Sequence, residues 1–172
     1  TQVILKLTQW RRENSQYFQT QFDSTPERTK NWLKNVVLPN DKVVLFLVYY
    51  NDELVGHYGF KDITEVVASA DNLLIGETKI RGPVSLLTMK AMLQWGFNEL
   101  KLSEITGTVL KSNRAALLIN KRLHFREVRS VPLVAKTSNT GEISLVEMPS
   151  AENYDDMNVY ISLKKEDFKC RK

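Results

Sequence analysis

The spacing of hydrophobic residues changes along the chain between a two-residue and a helical period, and these changes predict its elements. Residues 2–8 (QVILKLT) alternate loosely, which predicts a first strand. Residues 10–22 carry aromatic side chains at helical spacing and predict a short helix. A second helix is predicted over 24–37, because Thr25 is a favourable N-cap and Pro26 suits the first helical position.

The middle of the chain predicts a meander of three strands. Residues 43–50 (VVLFLVYY) form a near-continuous apolar run, as expected for a central strand. A turn at 51–52 leads into a second strand over 53–63, so these segments form a predicted hairpin. A third strand is predicted over 68–80 (ASADNLLIGETKI).

Helices and strands alternate in the remainder of the chain. The stretch 84–100 predicts a long amphipathic helix, whose apolar stripe consists of Leu86, Met89, Leu93, Phe97 and Leu100. A strand over 104–110 precedes a shorter helix over 113–124. Further strands are predicted over 125–135, 141–148 and 158–168. This order predicts a single α+β domain over residues 1–172, with one central, mostly antiparallel sheet.

Composition narrows the possible functions. The 24 basic residues are spread along the chain among 20 acidic ones, so the net charge of +4 favours an anionic ligand such as a phosphorylated cofactor over nucleic acid. The one cysteine, Cys170, lies in a basic tail, which excludes an internal disulfide and, with two histidines in all, disfavours a metal site. Because the chain has one cysteine and no possible internal disulfide, we expect it in a reducing cytoplasm. No run approaches about 18 apolar residues, so no transmembrane helix is predicted, and the N-terminal residues show no signal-peptide pattern.

The segment 79–85 (KIRGPVS) connects a predicted strand to the longest helix. The first amides of a helix lack internal partners, and the helix dipole is positive there, so such a loop can bind a pyrophosphate. Gly82 allows close backbone approach, and Lys79 and Arg81 add positive charge. The alternative interpretation is an ordinary turn between a strand and a helix that carries a basic residue.

Two segments together resemble the GNAT superfamily of acetyl-CoA-dependent N-acetyltransferases. They are KIRGPVSLLTMKAMLQWGF and SNRAALLINKRLHF, and the upstream hairpin YYNDELVGHYGFKDI is also similar to that of the family. The resemblance spans roughly residues 43–125. It implies a central, mostly antiparallel sheet of about seven strands that is splayed into a V, flanked by about four helices, with acetyl-CoA between the parted strands.

The resemblance also implies which residues hold the cofactor. Backbone groups of the strand 72–78 would bind the pantetheine arm, the loop amides around 80–86 would bind the pyrophosphate, and Asn113 would cap its helix and help to hold the pantetheine. The residues implied are Leu74, Ile75, Lys79, Ile80, Arg81, Gly82, Val84, Ser85, Leu86 and Asn113. The loop departs from the family pattern, because one glycine is missing and Pro83 has no amide donor.

Three residues are candidates for the chemistry. In the family, a tyrosine seven residues after the capping Asn protonates the departing thiolate; the corresponding residue here is Asn120, which donates hydrogen bonds but supplies no acid proton. Glu77 and His57 are candidate bases that deprotonate the attacking amine. The alternatives are an exposed strand carboxylate for Glu77 and core packing for His57. Tyr58 is expected to face the other side of the sheet from His57.

The N-terminal segment 7–33 bears on the acceptor. It resembles GNAT members that acetylate amino groups on nucleotide-linked sugars, and ribosomal-protein N-terminal acetyltransferases have related openings. This resemblance implies an acceptor side lined by Trp10, Arg11, Trp32 and Tyr58. The alternative for the two tryptophans is that they pack the helices onto the sheet.

The predicted function is therefore acetyl-CoA-dependent acetylation of a primary amine, with a small-molecule amino sugar on a nucleotide carrier as the expected acceptor. Two alternatives stay open: acetylation of a protein or peptide α-amine, and a GNAT-like CoA-binding domain without turnover. The stretch 126–157 either shapes an acceptor pocket or forms the edge of a homodimer. No nucleic-acid or membrane partner is expected.

Overall fold

An eight-stranded sheet forms the centre of the protein, whose computed structural model describes residues 2–77 and 79–168. In these ranges the strands are β1 (Thr20–Gln21), β2 (Val44–Tyr50), β3 (Glu53–Lys61), β4 (Val67–Ile75), β5 (Glu104–Leu110), β6 (Arg126–Thr137), β7 (Ile143–Glu147) and β8 (Asp156–Lys164). The α-helices are α1 (Gln2–Glu13), α2 (Pro26–Trp32), α3 (Arg81–Asn98) and α4 (Arg114–Arg122). The α+β class and the central sheet are thus confirmed.

The strand order in the sheet is β1-β7-β6-β8-β5-β4-β3-β2. Neighbouring strands are antiparallel except β4 and β5, which run parallel. That pair is in register only at Val67↔Glu104, Ala68↔Ile105 and Ser69↔Thr106. Beyond Ser69 each strand stays with its outer neighbour, β4 with β3 as far as Ile75 and β5 with β8 as far as Leu110. The sheet is therefore splayed, as predicted.

A bulge in β4 lies just beyond the point where the two strands part. The register between β3 and β4 shifts between His57 and Gly59. Opposite this shift, Asn72 has a left-handed backbone with φ of 54°. Asparagine tolerates this conformation better than most residues because its short amide side chain bonds locally. The bulge turns the second half of β4 away from β5 while it remains paired to β3.

The two faces of the sheet are covered by different helices. On one face, Met89, Leu93 and Phe97 of α3 pack in a cluster with Tyr58 and Phe60 of β3. This is the apolar stripe that the sequence predicts for the long helix. On the other face, α1 contributes Leu7 and Trp10 to a smaller cluster whose strand residues are Leu54 and Leu74. Side chains of β4 consequently alternate between an α3 face and an α1 face.

The predicted N-terminal strand over 2–8 is wrong, because these residues belong to α1. A segment as short as 2–8 fits both the two-residue period of a strand and the period of a helix. The stripe formed by Val3, Leu7 and Trp10, however, continues past this segment at helical spacing. The helix predicted over 10–22 is also wrong beyond Glu13. There the chain forms a 3-10 turn at Ser15–Tyr17 and then β1, which pairs with β7.

Other boundaries differ by a few residues from the predicted ones. Thr25 caps α2 as expected, because its side chain accepts a hydrogen bond from the Arg28 amide. The strand predicted over 68–80 ends at Ile75, and a loop leads from there to α3. Cys170 lies outside the described residues. None of the described helices combines the length and apolar character needed to cross a lipid bilayer.

The packing of α3 predicts how much each of its leucines contributes to stability. Leu93 is 0% exposed, so Leu93→Ala should lower the free energy of unfolding by about 2–5 kcal/mol through lost burial and a cavity. Leu87 in the same helix is 65% exposed, and Leu87→Ala should change that free energy by about 0.5 kcal/mol or less. Urea unfolding of both variants measures the difference, and equal losses would contradict this packing.

Candidate active site

A cavity of about 440 Å³ lies where β4 and β5 part, and we call it the groove. Its walls are the second halves of these two strands, the first turns of α3, the inner side of α4 and the segment 14–19. Three charged side chains line it among the described residues, namely Lys61, Asp71 and Arg81. The groove is therefore a product of the splayed sheet, with two helix N-termini at its edge.

The N-terminus of α3 faces open space. Its N-cap is Ile80, which makes no side-chain hydrogen bond to the first turn. A Cβ atom added to Gly82 would meet no atom within 4 Å. Ser85, one turn further on, is buried and lines the groove. The first amides of α3 are therefore uncapped by side chains and have room for an anionic group in front of them.

Arg81 lines the groove and is anchored to the end of β4, and its role toward a cofactor stays a prediction. Its Nε donates to the carbonyl of Ile75 at 2.8 Å, and its second guanidinium nitrogen donates to that of Gly76 at 3.3 Å. The side chain thus folds back onto the end of β4 instead of extending into solvent. Its charge still lies at the groove, beside the positive end of α3.

Helix α4 brings two asparagines to the groove. Asn113 caps the helix, because its Oδ1 accepts a hydrogen bond from the Ala116 amide at 3.1 Å. The cap occupies the oxygen, so the Nδ2 donors are not committed to it. Asn120 is buried, and its Nδ2 donates to the Ala116 carbonyl at 2.9 Å. Both predicted residues line the groove, and their roles toward a ligand stay predictions.

Asp71 is the one carboxylate among the described residues that line the groove. Ala68 and Ala70 pack in the α3 cluster, so strand alternation directs Asp71 to the α1 face. Its Oδ1 lies 3.4 Å from Lys61 Nζ, and its Oδ2 accepts a hydrogen bond from Asn72 Nδ2 at 2.6 Å. Sequence reasoning missed this residue, although an aspartate within the apolar run ASADNLLI is a signal of it.

Tyr58 and His57 lie on opposite faces, as expected. Tyr58 is 1% exposed and lines the groove, and no described residue forms a hydrogen bond with its hydroxyl. Burial, followed by the charge of Asp71, raises the pKa of that hydroxyl. His57 does not line the groove. Burial lowers the pKa of His57 to about 4, while a backbone hydrogen bond with Asn72 raises it and the charge of Arg11 lowers it further.

The other predicted catalytic and cofactor residues divide into two groups. The prediction that Glu77 lies on the cofactor strand is wrong, because β4 ends at Ile75 and Glu77 is exposed in the loop outside the groove. Leu74 lines the groove. Of the remainder, Lys79 is exposed, and the apolar side chains pack into the core near the groove without lining it: Ile75, Ile80, Val84 and Leu86.

The predicted acceptor residues near the N-terminus support the groove instead of lining it. Trp10 is buried against Leu74, and a Cβ on Gly76 would lie 2.0 Å from its indole nitrogen, so the chain packs flat on the ring there. Trp32 packs against the same cluster. The alternative interpretation, in which both tryptophans pack helices onto the sheet, is the one that the structure supports.

Arg11 holds the segment 14–19 in place. Its guanidinium carbon lies 3.4 Å from the centre of the Phe18 ring, and it donates to the carbonyl of Thr20 at 2.8 Å. Burial lowers the pKa of Arg11 to about 10, partly offset by the charge of Asp71. Tyr17, Phe18 and Gln19 line the groove, and no pattern in the sequence indicates them separately.

Comparisons with known proteins agree with this geometry at the level of the fold. No family profile matches the chain. The chain is 26% identical over 127 residues to the acetyltransferase PseH of Campylobacter jejuni subsp. jejuni serotype O:23/36 (strain 81-176). The alignment covers 73% of this chain and 78% of PseH.

Solved structures match over almost the whole chain. The Campylobacter jejuni N-acetyltransferase PseH in complex with acetyl coenzyme A aligns with a TM-score of 0.64 at 19% identity, over 96% of this chain and 92% of that chain. AAC(6')-Ib in complex with ribostamycin and coenzyme A aligns with a TM-score of 0.69 at 14% identity, over 96% and 90%. The chain therefore has the GNAT acetyltransferase fold. Its closeness to the ribosomal-protein branch stays a prediction.

The buried His57 predicts a pH dependence of stability. Its pKa falls from 6.5 to about 4 on folding, so the unfolded chain takes up this proton first as the pH falls. The contribution of the uncharged, buried His57 to the free energy of unfolding is fully present above pH 6.5. It is lost as the pH falls from about 6.5 to 4, and the loss is roughly 3 kcal/mol in total. His57→Asn should remove this part of the dependence. In urea unfolding across that range, the exposed-site variant His124→Asn should keep it, and an unchanged slope in His57→Asn would contradict the assignment.

Proposed function

We propose that this protein is an acetyl-CoA-dependent N-acetyltransferase that acts on a primary amine of an amino sugar, carried in the cell on a nucleotide. One observation carries the proposal: the groove between the parted strands is lined both by the uncapped N-terminus of α3 and by the carboxylate-bearing Asp71. The GNAT fold and the similarity to the acetyltransferase PseH support it. An expected cytoplasmic location and a homodimer stay predictions.

The residues at the groove fit the cofactor. The free amides at the start of α3 and the open space at Gly82 suit a pyrophosphate, and the charge of Arg81 lies beside them. The second half of β4, which turns away from β5, offers backbone groups to the pantetheine amides. Asn113 presents its side-chain amide from the α4 cap on the other side. Bound there, acetyl-CoA would supply an activated acetyl thioester.

The acceptor amine has to be neutral before it can attack. An alkylammonium group has a pKa near 10 in water, so a group of the protein has to bind the cation and receive or relay its proton. We assign this role to Asp71, because it is the carboxylate at the groove and Glu77 is not. The reaction forms a carbon–nitrogen bond and breaks a carbon–sulfur bond. The proton that leaves nitrogen balances the proton that the departing sulfur takes up.

Asn120 cannot provide that last proton, since an amide is not an acid at neutral pH. It donates one Nδ2 hydrogen to the Ala116 carbonyl and has a second one available for the sulfur. Its role is therefore to stabilise the departing thiolate by a hydrogen bond, while solvent supplies the proton. The absence of an acid at this position is also compatible with a GNAT-like domain that binds the cofactor without turnover. Thiol release from acetyl-CoA distinguishes such a domain from an active acetyltransferase.

The acceptor side favours a sugar over a peptide. The aromatic residues Tyr17 and Phe18 line the groove together with the polar residues Gln19, Asp71 and Asn158. Aromatic faces with hydrogen-bonding groups beside them suit a ring that has apolar faces and polar edges. The solved structure of AAC(6')-Ib, which has the same fold, holds ribostamycin together with coenzyme A.

The assignment of Asp71 predicts a matched pair of variants. Asp71→Asn should lower kcat with an amino sugar about 100-fold or more, because the amine loses its proton acceptor, and should leave the KM for acetyl-CoA near the wild-type value. Glu77→Gln, an equivalent change in the exposed loop, should keep kcat within about twofold. Thiol release from acetyl-CoA is the measurement, with D-glucosamine, a UDP-linked amino sugar and a short peptide with a free α-amine as acceptors.

The outcomes separate the candidate functions. Turnover of the sugars but not of the peptide supports the proposal, and the reverse supports α-amine acetylation of proteins. Stabilisation of the protein by acetyl-CoA without thiol release from any acceptor would favour a binding domain. A strong loss in Glu77→Gln with normal turnover in Asp71→Asn would move the base back to the loop.

A further inference from the structure

Asn158 has a buried side-chain oxygen that no described residue satisfies. The residue lies in β8, is 3% exposed and lines the groove. Its Oδ1 atom has no hydrogen-bond partner. Buried polar atoms in folded proteins are nearly always paired, so an orphaned acceptor at the wall of a cavity points to a donor on a bound molecule.

The orientation of this amide is determined by its other end. Asn158 Nδ2 donates to Glu147 Oε1 at 2.7 Å. A carboxylate accepts but does not donate hydrogen bonds, so the NH₂ group has to face Glu147 and Oδ1 has to face away from it. The assignment of nitrogen and oxygen is therefore chemically forced, and the oxygen points away from Glu147 in a residue that lines the groove.

A small network keeps Glu147 ionised and in place. The hydroxyl of Tyr160 donates to the same oxygen, Glu147 Oε1. The Arg129 guanidinium carbon lies 3.8 Å from the centre of the Tyr160 ring. The hydrogen bonds from Tyr160 and Asn158 lower the pKa of Glu147, and the positive charge of Arg129 lowers it further. Tyr160 and Glu147 thus position the Asn158 amide.

Asn158 and Asp71 lie on the same face of the sheet, one on each arm of the V. Val159 and Ile161 of β8 pack in the α3 cluster, so strand alternation directs Asn158 to the α1 face, as it directs Asp71 in β4. Both side chains line the groove. A molecule that binds between the arms would therefore lie between a carboxylate side chain from one arm and an amide side chain with an unpaired acceptor oxygen from the other.

We propose that Asn158 Oδ1 accepts a hydrogen bond from a hydroxyl group of the acceptor and so selects hydroxylated amines over plain alkylamines. The inference rests on the proposed acetyltransferase function and deepens it. The ammonium group of the substrate binds to Asp71, so a different donor has to bind to Asn158. The uncharged oxygen of Asn158 suits an uncharged donor such as a hydroxyl group. Such a site is selective because an amine without the hydroxyl group leaves the buried oxygen unpaired, which weakens its binding.

The test compares two amines in the full chain. D-glucosamine carries hydroxyl groups on both sides of its amine, and cyclohexylamine is a ring amine without hydroxyl groups. The readout is the ratio of kcat/KM for D-glucosamine to that for cyclohexylamine, measured by thiol release at saturating acetyl-CoA. Asn158→Leu, which keeps the side-chain shape, should lower this ratio about 10- to 100-fold. The exposed-site control Asn153→Leu should keep the wild-type ratio.

A second variant keeps the proposal testable if Asn158→Leu folds poorly. Glu147→Gln can donate as well as accept, so the Asn158 amide is free to flip, and the ratio should fall about 3- to 10-fold. A bound water as the partner of Oδ1 would leave the ratio unchanged in both variants and would overturn the inference. Absence of wild-type thiol release with both amines and with the UDP-linked sugar would overturn the proposed function, and this inference with it.

Discussion

Three pairs of residues hold β4 and β5 together, and the rest of the site depends on the fact that the pairing stops there. Beyond Ser69 and Thr106 the two strands turn their facing edges to a cavity instead of to each other. Backbone amides and carbonyls at a buried edge need partners, and a ligand with its own amides can supply them. The bulge at Asn72 and the unbroken pairing of β5 with β8 both favour this opening.

The remaining elements complete the opening with the chemistry that an acetyl transfer needs. Helix α3 starts at one end of the opened strand and contributes uncapped amides and the positive end of its dipole. The α1 face contributes a carboxylate from β4 and an oriented amide from β8. Arg11, stacked on Phe18, holds the segment that covers this side. The groups that suit an anion and the groups that suit an amine thus come from different elements around one groove.

Local pattern was enough to predict the elements whose period is long and unambiguous. The stripe of α3, the cap of α4 at Asn113 and the run of β2 each follow from residues within one continuous segment of the chain. Residues 2–8 failed this criterion, because so short a window fits a strand and a helix equally well. The splayed sheet itself came from the resemblance of the segments around α3 and α4 to a known family, since periodicity does not indicate where two strands part.

The site was harder to predict because its residues meet through tertiary structure. Alternation shows that Asp71 and Asn158 each face one side of a strand, but not that both strands border one cavity. The pattern also does not show where β4 ends. Glu77 was therefore predicted to lie on this strand, whereas the strand ends at Ile75. Trp10 and Arg11 were placed at the acceptor by resemblance, whereas packing against Leu74 and Phe18 makes them supports of the groove.

Hydrogen exchange of backbone amides, with and without acetyl-CoA, tests most directly whether the opened strands hold the cofactor. If the opened strands hold the cofactor, exchange should become slower in residues 72–76 of β4 and its loop and in residues 81–86 of α3, with little change where β6 pairs with β7. ADP, which carries a diphosphate but no pantetheine, should slow exchange at 81–86 alone. Unchanged exchange in both segments with saturating acetyl-CoA would contradict the account.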